Sequence, residues 1–348
     1  VCLFASLPFT SFAAIGPEAA VAEQPGVLRI GNLASGIFRV PDEDLVYYEK
    51  TGVFIKGKAG KFIDVPITAA VVGSGFVITA DGYIMTNAHV VDTREESLDA
   101  HLWAQFQALA AEKLAENLAS KGWLERDIDA YIKDYLEYAR KNTEIRDERY
   151  TLSVLRTDKR EDSFIDYIQN GYPIEIKKMG QPFPEPGKDL AVIKIETSKP
   201  LSPVRIGSSE KIGVGDRVYV VGYPGIADLT SKDVTTPTLT SGIVSSIKRS
   251  PTGDFNVIQI DAAISGGNSG GPAFDESGNV IGVATFQAQE SDSYNFILPI
   301  ELGKQYLDEL NLDYLKGSDA TARGALASIV AKCINLATSS RYSAFIGG

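Results

Sequence analysis

The feature that most constrains this chain is a succession of short β-branched and aliphatic runs, each ended by glycine or proline within a few residues. They fall at residues 151–156, 174–178, 190–195, 217–221, 240–247, 257–260 and 280–286. Runs this short and this regularly punctuated predict many strands folded into barrels or a sandwich. Upstream, residues 69–78 predict a strand bent at Gly73 and Gly75. Asp81-Gly82 is a hairpin turn signal, and residues 83–87 are the returning strand. Residues 47–65 have room for one or two strands around Gly57 and Gly60.

One block breaks this pattern. Residues 95–147 are rich in Ala, Leu, Glu and Lys and contain no proline. Leu98, Leu102, Phe106, Leu109 and Lys113 follow helical spacing, as do Ile128, Ile132, Tyr135 and Ala139. Lys121-Gly122-Trp123 interrupts the run as a helix C-cap does. We therefore expect a helical hairpin over about 95–120 and 125–145, inserted into a β-domain. Leu302, Tyr306, Leu307 and Leu310 predict a closing helix at 300–312, and residues 316–348 read as a partly helical tail.

Charge and cysteine use narrow the function classes. A formal net charge of −11 opposes binding to phosphate backbones, so no nucleic-acid partner is expected. Cys2 and Cys333 lie at opposite ends and cannot build a disulfide framework. With two histidines and two cysteines there is no metal-ligand cluster, and no cofactor is expected. No stretch of ~18 uncharged apolar residues is present to span a membrane. Residues 1–22 carry one charge, Glu18. Ala20-Val21-Ala22 before Glu23 fits the small-x-small pattern of signal-peptide cleavage, with Ala13-Ala14 as a second site. We read 1–22 as a signal-peptide remnant, hence an extracytoplasmic protein; an unstructured Ala-rich arm is the alternative.

The chemistry-bearing run is Gly266-Gly267-Asn268-Ser269-Gly270-Gly271-Pro272. A serine among so many glycines sits in a tight turn that another backbone can approach closely. An acyl-transfer enzyme needs such a turn: the hydroxyl stands out, and amides, here Gly267 and Ser269, face the developing oxyanion. A solvated serine in a glycine-rich hairpin is the plain alternative. A serine hydroxyl needs a base. His101 falls within the helical block; His89 follows the strand at 83–87, in Thr86-Asn87-Ala88-His89. A third group must fix the imidazole tautomer, and Asp189 opens the apolar run 190–195, where an acid is costly unless paired. A core histidine and a strand-entry cap are the bland alternatives. The order His89, Asp189, Ser269 is the chymotrypsin order. Gly267-Asn268-Ser269-Gly270-Gly271 also matches the Gly-x-Ser-x-Gly elbow, but proline and further strand pattern follow where an elbow needs a helix.

Together these segments resemble the HtrA/Deg family of trypsin-like proteases. Residues 73–91 resemble its histidine segment and 189–194 its aspartate segment. Residues 240–245 and 259–264 resemble the strands leading to its serine, and 267–272 its nucleophile turn. The resemblance implies a mainly β fold of two antiparallel six-stranded β-barrels with the site in the cleft between them. Here the first barrel would span about 23–205, with 95–147 inserted, and the second about 206–302, within a protease domain of 23–312. The family resemblance also implies a serine endopeptidase that cleaves unfolded or damaged polypeptides, often as a trimer, in extracytoplasmic quality control. By position, Ile264 and the backbone at Thr285, Phe286 and Gln287 would line the specificity pocket. The helical insertion departs from the family pattern, and no PDZ domain is evident over 313–348. The main rival is a peptide-binding or assembly module on the same fold, with catalysis gated or off.

Overall fold

The computed structural model describes residues 16–41, 45–48, 53–56, 62–182, 185–225, 234–250, 253–287 and 295–317. In chain order they begin with α1 (Pro17–Glu23), β1 (Val27–Pro41), β2 (Leu45–Tyr48), β3 (Val53–Lys56), β4 (Phe62–Val77) and β5 (Tyr83–Thr86). The hairpin α2 (Glu95–Ser120) and α3 (Glu125–Asn142) follows, then β6 (Glu144–Val154), α4 (Phe164–Gln169), β7 (Tyr172–Pro173), β8 (Glu175–Met179) and β9 (Ala191–Lys194). The rest is β10 (Arg205–Ile206), β11 (Arg217–Gly222), β12 (Thr238–Arg249), β13 (Asn256–Ile260), β14 (Pro272–Phe274), β15 (Asn279–Gln287), β16 (Asn295–Pro299) and α5 (Ile300–Glu309).

The chain divides into two compact units. Unit 1 comprises residues 1–29, 73–89 and 174–348; unit 2 comprises 30–72 and 90–173. The division differs from the expected split near residue 205. It follows from where side chains cluster: the helical hairpin shares one apolar core with Phe38 and Ile67, and Phe76 and Met85 belong to another.

Unit 1 contains a closed barrel. β11 pairs with β12, β12 with β13, β13 with β16, β16 with β15, β15 with β14, and β14 returns to β11. All six pairings are antiparallel, and closure removes the exposed edges. Alternation along β11 shows why this sequence suits it. Val218 and Val220 face the barrel interior with Val244, Ile258 and Ile281. Tyr219 and Val221 point the other way, into a cluster with Phe76, Met85, Leu190 and Phe274. A strand buried on both faces needs an uninterrupted apolar run, which Val218–Val221 supplies. The helix α5 covers the second cluster with Ile300, Leu302, Tyr306 and Leu307.

The other strands of unit 1 form an open set. β5 pairs with the end of β4 (Phe76↔Met85, Val77↔Ile84) and with β9 (Met85↔Val192, Ile84↔Ile193), and β9 pairs with β8. Here the fold departs from two equal barrels: one is closed, and its counterpart is a half-barrel. α1 puts Ala20 into the unit 1 core, so the Ala20-Val21-Ala22 run lies in a packed helix.

Unit 2 is the helical hairpin with its strands. Phe38, fully buried, stacks on Trp103 and Phe106 at centroid distances of 5.9 and 5.1 Å. Leu98, Leu102 and Phe106 from α2 and Ile128, Tyr135 and Ala139 from α3 fill the same core. The turn between the helices is a Schellman motif: Trp123 N–H donates to Leu118 O (3.2 Å) and Gly122 N–H to Ala119 O (2.9 Å). Gly122 has φ +82°, a conformation that side chains disfavour. α3 ends at Asn142, three residues before the expected limit, because residues 144–146 already pair with β1 (Arg39↔Glu144, Phe38↔Ile145).

Candidate active site

His89, Asp189 and Ser269 all belong to unit 1. His89 follows β5, Asp189 precedes β9, and β5 and β9 are hydrogen-bonded neighbours, so the two residues meet at one end of the pair. His89 Nδ1 lies 2.7 Å from Asp189 Oδ2, and the His89 backbone N–H donates to Asp189 Oδ1 at 2.9 Å. The Asp189 side chain is 7% exposed and the imidazole 31%, so the acid is enclosed while the ring retains an accessible edge. Charge-assisted donors compensate the burial of the carboxylate. One of these donors is Thr285, whose hydroxyl bonds Asp189 Oδ2 at 3.0 Å. Asn87 fixes the backbone of the acid through Nδ2 to Asp189 O, 2.6 Å.

Ser269 lies in the turn that enters β14. Its hydroxyl donates to Thr285 O at 3.0 Å, so among the described residues its hydrogen bond runs to β15 and not to the imidazole. Thr285 thus holds the acid with its side chain and the serine with its backbone.

The turn is braced from behind. Ser74, fully buried, donates from Oγ to Gly267 O (2.7 Å) and accepts there from Tyr223 N–H (2.9 Å). The Ser74 amide donates to Ser269 O, 2.7 Å. Gly266 O accepts from Gly225 N–H (2.7 Å), and Asn268 O from Gly271 N–H (2.9 Å). In a trans peptide the N–H points opposite to the C=O. Pinning these two carbonyls back therefore turns the Gly267 and Ser269 amides forward. Neither amide donates to an acceptor among the described residues. Gly267 and Gly270 have φ +101° and +84°, and a Cβ on either would run into neighbouring backbone.

Of the residues assigned to a pocket, Ile264 is 5% exposed and packs in the barrel core. The Thr285 side chain faces Asp189. Phe286 and Gln287 belong to β15, and their side chains lie outside the described residues. Inspection of the sequence missed Ser74, Asn87 and the second duty of Thr285. Ser74 alone left a signal, as a polar residue between two glycines inside an apolar strand.

The fold is thus mainly β and of the chymotrypsin type, with one closed barrel, one half-barrel and added helices. The trypsin-like peptidase domain matches residues 73–283, and the chain belongs to that family. It is 32% identical over 247 residues to the "probable periplasmic serine endoprotease DegP-like" of Brucella suis, covering 68% of this chain and 32% of the relative. It is 41% identical over 129 residues to "Protease Do-like 5, chloroplastic" of Arabidopsis thaliana, covering 34% of this chain and 37% of that one. The chain therefore spans about a third of the length of these curated relatives. A solved HtrA-type protease, AlgW with a decapeptide, aligns with a TM-score of 0.45 at 21% identity, covering 84% of this chain and 66% of that one. No described helix is long and apolar enough to cross a membrane.

Proposed function

We propose that this chain is a serine endopeptidase in which Ser269 is the nucleophile, His89 the general base and Asp189 the group that orients the base. The observation that carries this is the 2.7 Å contact between His89 Nδ1 and an enclosed carboxylate. That contact makes Nδ1 the protonated nitrogen and leaves Nε2 as the acceptor for a hydroxyl proton. The Ser269 hydroxyl leaves its bond to Thr285 O, passes its proton to Nε2 and attacks the scissile carbonyl. The Gly267 and Ser269 amides then receive the oxyanion. Imidazolium, held by Asp189, returns the proton to the leaving amine, and water repeats the sequence on the acyl-enzyme.

The substrates we propose are unfolded polypeptides outside the cytoplasm, with Ile264 and the backbone at 285–287 shaping the subsite. This rests on the resemblance and on a relative named a periplasmic endoprotease. The same ground supports a homo-oligomer, which light scattering on the purified chain tests. Casein cleavage beside Ser269→Ala tests the enzyme: loss of cleavage in the variant is expected, and equal cleavage by both refutes the assignment. The hydroxyl's bond to Thr285 O favours a second reading, a peptide binder with catalysis gated. A serine-reactive phosphonate separates the two, since a gated module stays unlabelled even with casein present.

A further inference from the structure

The Gly267 amide is turned forward by the bond that holds Gly266 O behind it, and the donor of that bond is Gly225 N–H at 2.7 Å. Gly225 lies in the loop that leaves β11, two residues after Tyr223. Tyr223 itself reaches the turn by a second route. Its N–H donates to Ser74 Oγ (2.9 Å), and that hydroxyl donates to Gly267 O (2.7 Å). Tyr223 O stands so close behind Gly267 that a Cβ there would run into it. Residues 223–225 are thus the backstop of the turn, which is only as fixed as they are.

The Tyr223 side chain anchors this loop to the first residues of β1. It is buried in the unit 1 core, and its hydroxyl donates to Val27 O at 3.1 Å. The Arg29 guanidinium lies 5.9 Å from the ring centroid, within cation–π range. Arg29 also donates from Nη1 to Val234 O at 3.0 Å, further along the same connection between β11 and β12. Val27 and Arg29, two apart, stand on one face of β1, and both belong to unit 1 with Ser74, Tyr223 and Gly267. Arg29 is buried. Taking a guanidinium out of water is costly, and an apolar side chain fills such a space at less cost. The arginine is therefore accounted for by what it holds: the Tyr223 ring and the chain at Val234.

We propose that Tyr223 is a positioning residue for the oxyanion hole, anchored by Val27 and Arg29 at the start of β1. The proposal rests on the assignment of the Gly267 and Ser269 amides made above. It gives the opening of β1 a part in catalysis, across 196 positions of sequence. A tyrosine that served the core alone would affect stability. One that sets the direction of an amide acts where the oxyanion develops, and so in kcat and not in KM.

Tyr223→Phe keeps the ring and removes the hydroxyl; Arg29→Met keeps an unbranched side chain and removes the guanidinium. Both are made in the full chain and assayed on a fluorogenic peptide. In Tyr223→Phe kcat should fall about threefold to tenfold, the worth of one neutral hydrogen bond. In Arg29→Met it should fall about tenfold or more, with KM within about twofold in both. Tyr219→Phe takes a hydroxyl from the same buried cluster and should leave kcat unchanged. Hydrogen exchange followed by mass spectrometry reads the turn without turnover. The Asn268 and Gly271 amides, bonded to Ser265 O (3.0 Å) and Asn268 O (2.9 Å), should exchange faster in both variants than in wild type or Tyr219→Phe. If the wild type turns over no peptide, the enzyme reading fails, and exchange alone decides whether Tyr223 holds the turn. Melting curves identify the folded variants, and either one carries the test. Unchanged kcat in an active enzyme, unchanged exchange at the turn, a loss confined to KM, or an equal loss in Tyr219→Phe overturns the proposal.

Discussion

Thr285→Val isolates the hydrogen bond that secures the acid. The hydroxyl lost in this change donates to Asp189 Oδ2 at 3.0 Å, and valine has nearly the same shape. Asp189 keeps His89 Nδ1 at 2.7 Å and His89 N–H at 2.9 Å. The carboxylate is 7% exposed, so little water is available to replace the missing donor. A hydrogen bond to a charged group contributes about 1.5–3 kcal/mol. If that loss falls on the transition state, kcat drops about 10- to 150-fold, at 1.36 kcal/mol per decade. KM should scarcely move, because the hydroxyl faces Asp189. The bond from Ser269 to Thr285 O uses the backbone and survives the change. Thr285→Ser restores the donor and should stay within about threefold of wild type by the same accounting. The assay is kcat and KM on a fluorogenic peptide, with urea unfolding followed by far-UV circular dichroism to exclude a folding defect. A folded Thr285→Val enzyme within twofold of wild-type kcat refutes the reasoning, as does an equal fall in Thr285→Ser.

Asp189→Asn should lower kcat about 10⁴-fold by presenting the wrong partner to the imidazole, measured on the same peptide with Ser269→Ala as the floor. Gly270→Ala forces a side chain into φ +84° against Ser74 O and Thr86 Oγ1. It should cost about 1–3 kcal/mol or more in urea unfolding and remove activity with it. Phe38→Ala empties the stack on Trp103 and Phe106 and should cost about 3–5 kcal/mol, read from tryptophan emission. Burial alone would raise the Glu301 carboxyl, but hydrogen bonds from Ser209 and Ser208 take it below its ordinary value. A carboxylate with a lowered folded value stabilises above its unfolded value and loses that contribution as pH falls through the folded one. Glu301→Gln should therefore cost about 1–2 kcal/mol at pH 7, with the gap closing as pH falls below the ordinary glutamate value and through the lowered folded one; a gap that widens in acid contradicts the hydrogen-bonding account.

Local pattern made much of the fold legible. The strand from 217 and its Val-Tyr-Val-Val alternation became β11 within a residue. The predicted helices at 95–120 and 125–145 correspond to α2 and α3, because Leu98, Leu102 and Phe106 fall on one face and Gly122 ends the first helix. The limits of α3 were not legible, since pairing of Ile145 with Phe38 depends on a strand a hundred residues away. Nor was the long β1, whose glycines and polar residues mask the apolar run: Arg29 and Asn32 are buried there. The Gly267–Gly271 turn was legible because glycine there is a steric necessity. The support behind it was not. Ser74 meets Gly267 across 193 positions and Thr285 meets Asp189 across 96, and no spacing rule reaches that far.

The two tryptophans of the chain, Trp103 and Trp123, both belong to unit 2, whereas His89, Asp189 and Ser269 belong to unit 1. The protein is thus spectroscopically partitioned. Its natural fluorescence reports on unit 2, while turnover, on the proposed assignment, reports on unit 1. If the two units melt separately, a heat-treated sample keeps its native fluorescence after losing activity, or the reverse. The interval between the fluorescence midpoint and the inactivation midpoint is then a direct measure of how tightly the fates of the two units are tied.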